Sequence, residues 1–296
     1  MAELCSDGVA APMGARFVRR VGILTHPRLP ETNEIAADLA ARLAGLGVSS
    51  EVSAQLDSGP LAEQLLTLDC LVTLGGDGTI VRAARAVAGT AVPVLGINLG
   101  QLGFLAELQP SEIAGRLEAL ARGEFRIEER GLLRATLTTA GGERSTFDAL
   151  NDAVVARGER VRVIAVAVSI DGQPFTTYRA DGVIVATATG STAYSLSVGG
   201  PILAPSLCGL IIVPVAPHLM PTRALVVPGS TAIRLLLGAE YQAVLSIDGQ
   251  VDRALAGGDV VSITQSPKHA GFVRFGPPAD FYGTLFRRLR WAAPRQ

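Results

Sequence analysis

Short β-branched runs alternate with helical spacing over residues 21–102. Residues 21–25 and 70–74 are apolar runs of strand length, and between them Ile35, Leu39 and Leu43 recur at intervals of four. This pattern predicts a helix over residues 34–46 and a further helix after the second strand. Such alternation is typical of a doubly wound α/β domain with a parallel sheet.

After Phe125 the sequence pattern changes from alternating strands and helices to strands separated by turn signals. We predict strands at residues 132–139, 152–155, 161–170, 183–186, 210–213, 244–247 and 260–264. The chain therefore divides into a flexible N-terminus (1–16), an α/β domain (17–128), a β-rich domain (129–276) and a tail (277–296) that packs back on the α/β domain. Ser-Ile-Asp-Gly-Gln occurs at residues 169–173 and 246–250, and each copy predicts a hairpin.

Composition excludes several classes of protein. With 48% hydrophobic and 18% charged residues the chain is globular rather than disordered, and its net charge of −1 supplies no positive field for nucleic acid or membrane. Cys5, Cys70 and Cys208 form no CxxC pair, which fits a reduced cytoplasm without structural zinc. Because Lys268 is the only lysine, a Walker phosphate loop is impossible.

A glycine turn at residues 75–79 follows the strand at residues 70–74, and we expect a helix to begin near Thr79. Glycine lets the backbone approach a ligand, and the N–H groups at a helix start favour phosphate. Asp77 could accept a proton from an attacking hydroxyl or hold Mg²⁺, or it could merely cap the helix. The residues themselves favour neither alternative. Val81 breaks the dinucleotide fingerprint GxGxxG.

Gly-Gly-Asp-Gly-Thr at residues 75–79 resembles the signature of NAD kinases, of diacylglycerol and sphingosine kinases and, more loosely, of phosphofructokinases. Further segments resemble the NAD kinases in order. They are residues 96–105, Asn151-Asp152, residues 178–201, Pro217-His218, residues 225–228, residues 248–250 and the tail at 282–291. The family more often has Asn-Glu where this chain has Asn151-Asp152, and more often Ser or Thr at residues 219–223.

This resemblance implies a two-domain fold of the NAD kinase and diacylglycerol kinase type. It also implies transfer of a phosphoryl group from ATP, or from polyphosphate, to the 2′-hydroxyl of the adenosine ribose of NAD⁺, with Mg²⁺ as the expected divalent cation. Family members are homodimers or homotetramers. A lipid kinase and a non-catalytic NAD-binding sensor remain as alternatives.

The resemblance also assigns roles to residues. Asp77 is the expected general base, and Gly75, Gly76, Gly78 and Thr79 form the expected phosphate-donor loop. The expected NAD contacts are Asp77, Gly78, Arg82, Asn151, Asp152, Arg162, Arg179, Asp181, Thr192, Ala193, Tyr194, Ser195, Leu196, Ser197 and Gln250. The three arginines suit phosphate oxygens, with surface charge as the alternative, and Tyr194 suits base stacking, with a core aromatic as the alternative. No metal ligand is assigned, and His218 could be structural or catalytic.

Overall fold

The computed structural model describes residues 17–100, 103–158, 162–218 and 223–289. These residues form two compact units. Unit 1 comprises the described residues of Met1–Glu129 and Ala270–Gln296, and unit 2 comprises those of Arg130–His269. The predicted flexible N-terminus (1–16), most of the unusual segment at 219–223 and the last residues of the predicted tail lie outside the described residues.

Within the described residues, the helices are α1 (Glu31–Gly45), α2 (Gly59–Gln64), α3 (Asp77–Val87), α4 (Leu117–Arg122), α5 (Tyr194–Ser197) and α6 (Asp280–Arg288). The strands are β1 (Arg20–Leu24), β2 (Ser49–Ser53), β3 (Cys70–Gly75), β4 (Val94–Asn98), β5 (Arg126–Thr138), β6 (Arg144–Ala149), β7 (Asp152–Arg157), β8 (Ile164–Ile170), β9 (Gln173–Ala180), β10 (Gly182–Thr187), β11 (Gly209–Val215), β12 (Leu225–Pro228), β13 (Ile233–Leu237), β14 (Ala243–Ile247), β15 (Val251–Leu255) and β16 (Val260–Arg274). Short 3₁₀ turns lie at Leu65–Thr67, Pro110–Glu112 and Gly190–Thr192.

Unit 1 contains a parallel sheet in the order β2-β1-β3-β4. Each residue of β3 is buried, as expected for a parallel strand covered on both faces. Leu39 and Leu43 of α1 are buried in the same core as the strands. The strand order reverses between β1 and β3, so a ligand crevice is expected beyond the carboxyl ends of these strands.

Helix α3 lies close to the sheet because small side chains line its contact face. Ala83 and Ala84 are fully buried, together with Ile80 and Val87. A Cβ added at Gly96 of β4 would come within 2.6 Å of Ile80 Cδ1, so the side chain of Ile80 packs directly on the backbone of this glycine. This packing fixes the start of α3, where the glycine turn ends.

Unit 2 contains two antiparallel sheets that share one core. The first has the order β12-β11-β10-β7-β14-β15, and in the second β13 pairs with β16 and with β8, which pairs with β9. Apolar side chains from both sheets form a single buried cluster, so the sheets pack face to face. The observed α/β unit and β-rich unit confirm the predicted fold class.

The predicted strands are present, and the predicted hairpins account for β9 and β15, but the sequence patterns missed β2, β6, β12 and β13. Most side chains of β6, β9 and β15 are exposed or half-buried, so these strands lack a continuous apolar signal. Strand β16 continues beyond the predicted end at residue 264 and passes through Pro267. Its last residues, from Ala270, group with unit 1, whereas the sequence-based boundary places residues up to 276 in the second domain.

The end of β16 groups with unit 1 because Phe272 pairs with Val94 of β4 in parallel. The amphipathic segment after it forms α6, which belongs to the same unit.

No helix among the described residues combines the length and the apolar character needed to cross a bilayer.

Candidate active site

The glycine turn joins β3 to α3, and the helix begins at Asp77 rather than near Thr79 as predicted. Gly76 is the N-cap residue in an extended conformation. Gly75, the last residue of β3, packs against Thr79 in the first turn of the helix, since a Cβ at Gly75 would lie 2.6 Å from Thr79 Oγ1. Asp77 is the first residue of α3 and lies at the positive end of the helix dipole.

The Asp77 carboxylate bonds to a second loop. Phe104 N–H donates to Asp77 Oδ2 at 2.6 Å, and Leu105 N–H donates to Asp77 Oδ1 at 3.2 Å. No side chain caps α3, so the helix-cap interpretation of Asp77 is wrong. The carboxylate is instead held in one orientation by two backbone donors.

Gly103 makes this arrangement possible. A Cβ on Gly103 would lie 1.9 Å from Asp77 Oδ1 and 2.3 Å from Asp77 Cγ, far inside van der Waals contact. The second glycine stretch at residues 96–105 therefore packs directly on the first, although Gln101 and Leu102 lie outside the described residues. Only glycine allows the carboxylate to lie against this backbone.

Burial and neighbouring positive charges shift the pKa of Asp77 in opposite directions. Burial raises the pKa of Asp77 above its ordinary value, whereas the Leu105 N–H and the positive charges of Arg288 and Arg274 lower it. Arg274 is buried and donates to the carbonyl of Leu105 and to Glu107 and Glu128. A carboxyl group with a raised pKa is better matched to proton transfer near neutral pH than an ordinary aspartate.

The other predicted residues of unit 1 lie on the same helix or turn. Gly76 and Gly78 are exposed, and Thr79 is buried. Arg82 Nη2 donates to the carbonyl of Ala54 at 3.0 Å, so part of this guanidinium supports the loop after β2. Its Nε is buried without a partner among the described residues.

In unit 2, Asn151 lies in the bend between β6 and β7, and Asp152 is the first residue of β7; Asp248 holds this Asn151 turn. The Asp248 carboxylate accepts the N–H groups of Leu150 at 2.9 Å, Asn151 at 2.7 Å and Asp152 at 3.0 Å. Asp248 has a φ of 52° at the start of the second Asp-Gly turn. Gln250, two residues later, is exposed, and its N–H donates to the carbonyl of Ile247.

Asp152 is buried beside this second carboxylate. Burial, together with the negative charge of Asp248, raises the pKa of Asp152 to about 7. Asp152 consequently changes its protonation state near neutral pH.

The Thr192–Ser197 run adjoins the same turn through Thr187 and Gly190. Thr187 Oγ1 donates to the carbonyl of Leu150, Thr187 N–H donates to the carbonyl of Asn151, and Gly190 N–H donates to Thr187 Oγ1. Gly190 is required because a Cβ there would lie 2.0 Å from the Asn151 carbonyl oxygen. Strand β10 therefore fixes the start of the run beside Asn151.

Within the run, Tyr194 is 45% exposed, so it is not a core aromatic and its ring is available to a ligand. Ser195 is fully buried, and its Oγ has no hydrogen-bond partner in the part of the chain that the structure describes. The remaining predicted members of the run, Thr192, Ala193, Leu196 and Ser197, are exposed or half-buried.

Arg162 and Asp181 line a different region of unit 2, an open cleft of about 1660 Å³. Asp181 Oδ1 pairs with Arg157 Nε at 3.0 Å, and Arg162 is exposed. Arg179 is exposed on β9, and its carbonyl accepts the N–H of His218, which also lines the cleft. The predicted NAD contacts of unit 2 thus form two groups, one at the Asn151 turn and one at this cleft.

Sequence patterns missed Gly103, Phe104, Asp248 and Arg288 as candidate site residues. The Asp-Gly turn that contains Asp248 and the glycine stretch that contains Gly103 were visible, but neither pattern shows which backbone groups a carboxylate meets. Across the described ranges, no group of three or more His, Cys, Asp and Glu side chains could hold a metal ion.

Two family models match the chain. The ATP-NAD kinase N-terminal domain matches residues 33–125, and the ATP-NAD kinase C-terminal domain matches residues 150–275. The first match contains the Asp77 turn, and the second contains the Asn151 turn, the Tyr194 run and the second Asp-Gly turn.

Relatives of known name match along nearly their whole length. An NAD kinase of Dehalococcoides mccartyi is 40% identical over 273 residues, which cover 92% of this chain and 96% of the relative. An NAD kinase of Heliobacterium modesticaldum is 40% identical over 278 residues, which cover 91% of this chain and 96% of the relative.

Two solved structures share the fold at 26% identity. Yeast NADH kinase complexed with NADH has a TM-score of 0.86 and is matched over 95% of this chain and 90% of that one. An NAD kinase from Archaeoglobus fulgidus in complex with ATP has a TM-score of 0.74, and the match covers 90% of this chain and 98% of that one. The resemblance inferred from the motifs is confirmed: the chain belongs to the NAD kinase family.

Proposed function

We propose that the protein transfers the γ-phosphoryl group of ATP to the 2′-hydroxyl of the adenosine ribose of NAD⁺, forming NADP⁺. Membership of a phosphotransferase family supports this activity. The observation that carries the proposal is the Asp77 carboxylate, which is held at the end of β3 by two N–H groups. The relatives do not favour the alternatives of a lipid kinase or a non-catalytic sensor.

Asp77 is the proposed general base. The 2′-oxygen attacks the γ-phosphorus, the bond to ADP breaks, and the hydroxyl proton passes to the Asp77 carboxylate. The hydrogen bonds from Phe104 and Leu105 orient the carboxylate before the substrate arrives, so little reorganisation accompanies proton transfer. General base catalysis of this kind is typically worth ~10²–10⁴ in rate.

The Asn151 turn and the Tyr194 run are proposed to bind NAD. The exposed ring of Tyr194 can stack on a base, and the side chains of Asn151 and Asp152 can bond to hydroxyl groups. The structure of yeast NADH kinase was solved with NADH, which supports a dinucleotide as the ligand. The proposed NAD contacts in full are Asp77, Gly78, Arg82, Asn151, Asp152, Arg162, Arg179, Asp181, residues 192–197 and Gln250.

The donor is proposed to bind at the glycine turn. The glycine turn is exposed at Gly76 and Gly78, and the positive end of the α3 dipole favours phosphate oxygens without a Walker lysine. The A. fulgidus kinase was solved with ATP, which supports ATP as donor; polyphosphate remains a second proposed donor. Mg²⁺ is proposed to enter as part of the MgATP substrate, because magnesium commonly takes most of its ligands from phosphates and water.

A homodimer or homotetramer in the cytoplasm is proposed from the resemblance. Sedimentation equilibrium measures the mass of the assembly directly. A strictly monomeric protein at working concentration would contradict the proposed assembly without affecting the proposed reaction.

The proposed function is tested by measuring NADP⁺ formation from NAD⁺ and MgATP with an NADP-specific dehydrogenase. The wild-type protein is expected to form NADP⁺, and Asp77→Asn to lower kcat by ~10²–10⁴ while NAD affinity stays similar. An undiminished kcat in the variant would remove Asp77 as the base. No NADP⁺ from wild-type protein, with ATP or with polyphosphate, would refute the function itself.

A further inference from the structure

Arg288, the last residue of α6, is a half-buried basic residue whose guanidinium is enclosed by protein. Its Nε, Nη1 and Nη2 atoms are all buried, and none has a partner among the described residues. The guanidinium carbon lies 4.5 Å from the centre of the Phe104 ring. Burial lowers the pKa of Arg288 to about 10, so the side chain is still protonated at neutral pH.

A second arginine of unit 1 shows what a structural role requires. Arg274 is buried near the same carboxylate, and its guanidinium donates to the carbonyl of Leu105 and to the carboxylates of Glu107 and Glu128. The Nε, Nη1 and Nη2 atoms of Arg274 thus each donate to an acceptor. Arg288 has only an aromatic face beneath it, which stabilises a cation but accepts none of its N–H groups.

Asp77 does not supply the missing acceptor. The charges of Asp77 and Arg288 interact, but the oxygens of Asp77 accept the N–H groups of Phe104 and Leu105 instead. A buried guanidinium without acceptors is unfavourable, so it indicates an anionic group that completes the site. Because phosphate oxygens match the planar fork of a guanidinium, a phosphate is the anion that this position suits best.

We infer that Arg288 binds an oxygen of the transferred phosphate beside Asp77. The inference rests on the proposed phosphoryl transfer and adds a residue to the same site. When the 2′-oxygen bonds to the γ-phosphorus and the bond to ADP breaks, ADP leaves with the bonding electrons and Asp77 takes the proton. The guanidinium offsets negative charge on the oxygens of the transferring group.

Phe104 connects the two charged groups. Its N–H donates to Asp77 Oδ2, and its ring lies under the Arg288 guanidinium. The second glycine stretch therefore positions both the base and the cation. This shared support explains why Arg288 can be held near Asp77 without an ion pair between them.

The test compares Arg288→Gln, Arg288→Lys and Arg288→Ala with Arg287→Gln. Arg287 is an exposed neighbour on the same helix that donates to Thr284 Oγ1 at 3.2 Å, so its variant controls for loss of charge from α6. We expect Arg288→Gln to lower kcat by roughly 10²–10³ and to weaken MgATP binding, with the Kd for NAD⁺ unchanged. Arg288→Lys should retain part of the lost rate, and Arg287→Gln should match the wild type.

Two further readouts separate binding of phosphate from a structural role. Added guanidinium at non-denaturing concentration should restore part of the activity of Arg288→Ala. The acidic limb of the kcat profile should move to higher pH in Arg288→Gln, because removal of a positive charge raises the pKa of Asp77, while Arg274 keeps its charge.

A lower melting temperature with wild-type kcat in Arg288→Gln would overturn the inference, as would an equal loss in Arg287→Gln. Failure of the wild-type protein to form NADP⁺ would refute the proposed function instead, so the two outcomes are distinguishable.

Discussion

The absence of one side chain, at Gly103, decides where the Asp77 carboxylate can lie. The carboxylate lies against the Gly103 backbone and bonds to the next two N–H groups along the chain. Residues that touch in this way are 27 and 28 positions apart, so their glycine motifs are separate in sequence and joined in space. The first motif supplies the carboxylate, and the second supplies the N–H groups that hold it.

Gly103→Ala is expected to displace the carboxylate of Asp77, since the added methyl would meet Oδ1 at 1.9 Å. Displacement breaks two charge-assisted hydrogen bonds and moves the base, and kcat for NADP⁺ formation should fall by roughly 10²-fold or more. Gly100→Ala is the matched control, because its methyl would lie 3.8 Å from its nearest neighbour among the described residues, Asn98 Oδ1. Equal activities of the two variants would show that the position of Asp77 is unimportant.

At the scale of elements, the two Ser-Ile-Asp-Gly-Gln copies show how similar hairpins take different roles. Both form the predicted hairpins, β8 with β9 and β14 with β15. Asp171 and Asp248 have nearly the same left-handed backbone, with φ of 49° and 52°. The Asp171 carboxylate accepts the N–H of Ala232, whereas the Asp248 carboxylate accepts three N–H groups of the Asn151 turn.

Asp248→Ala is therefore expected to destabilise the protein by roughly 3–6 kcal/mol more than Asp171→Ala, because Asp248 accepts two more hydrogen bonds and each bond to a charged group contributes about 1.5–3 kcal/mol. Both substitutions place alanine at positive φ, so the comparison cancels that strain. Urea unfolding measures the difference, and the KM for NAD⁺ should rise only in Asp248→Ala. Equal losses of stability would show that the three bonds do not support the turn.

For the whole molecule, the buried Asp152 makes stability depend on pH. Its pKa of about 7 in the folded protein exceeds the value near 3.9 expected for an unfolded chain. Between pH values of about 4 and 7, Asp152 is therefore largely protonated in the folded state and largely ionised in the unfolded state. The contribution of Asp152 to the unfolding free energy falls as pH rises from about 4 to 7, and then becomes constant.

The stability of Asp152→Asn relative to the wild type should increase by roughly 2–3 kcal/mol between pH 5 and pH 8, because the amide does not ionise. Urea unfolding of both proteins across this range isolates the effect from other titrating groups. A difference that stays constant with pH would contradict a raised pKa at Asp152.

Local patterns determined much of this protein. The apolar runs and the fourfold spacing of α1 predicted the α/β unit, and the Asp-Gly turns predicted both hairpins, because each signal lies within a few consecutive residues. The glycine turn and Asp77 were identifiable for the same reason. The mostly exposed strand β6 was missed, since its pairing depends on a neighbouring strand rather than on an apolar pattern of its own, and β9 and β15 were predicted only through their Asp-Gly turns.

Only the tertiary structure decided what the polar groups of the site bond to. The Asp77 carboxylate could have capped its own helix, and Asp248 could have been an ordinary turn residue. Arg288 carries no local signal that distinguishes it from Arg287. Hydrogen bonds act over about 3 Å, while their partners here lie between 27 and 98 residues apart, so the packing of distant loops determines each bond.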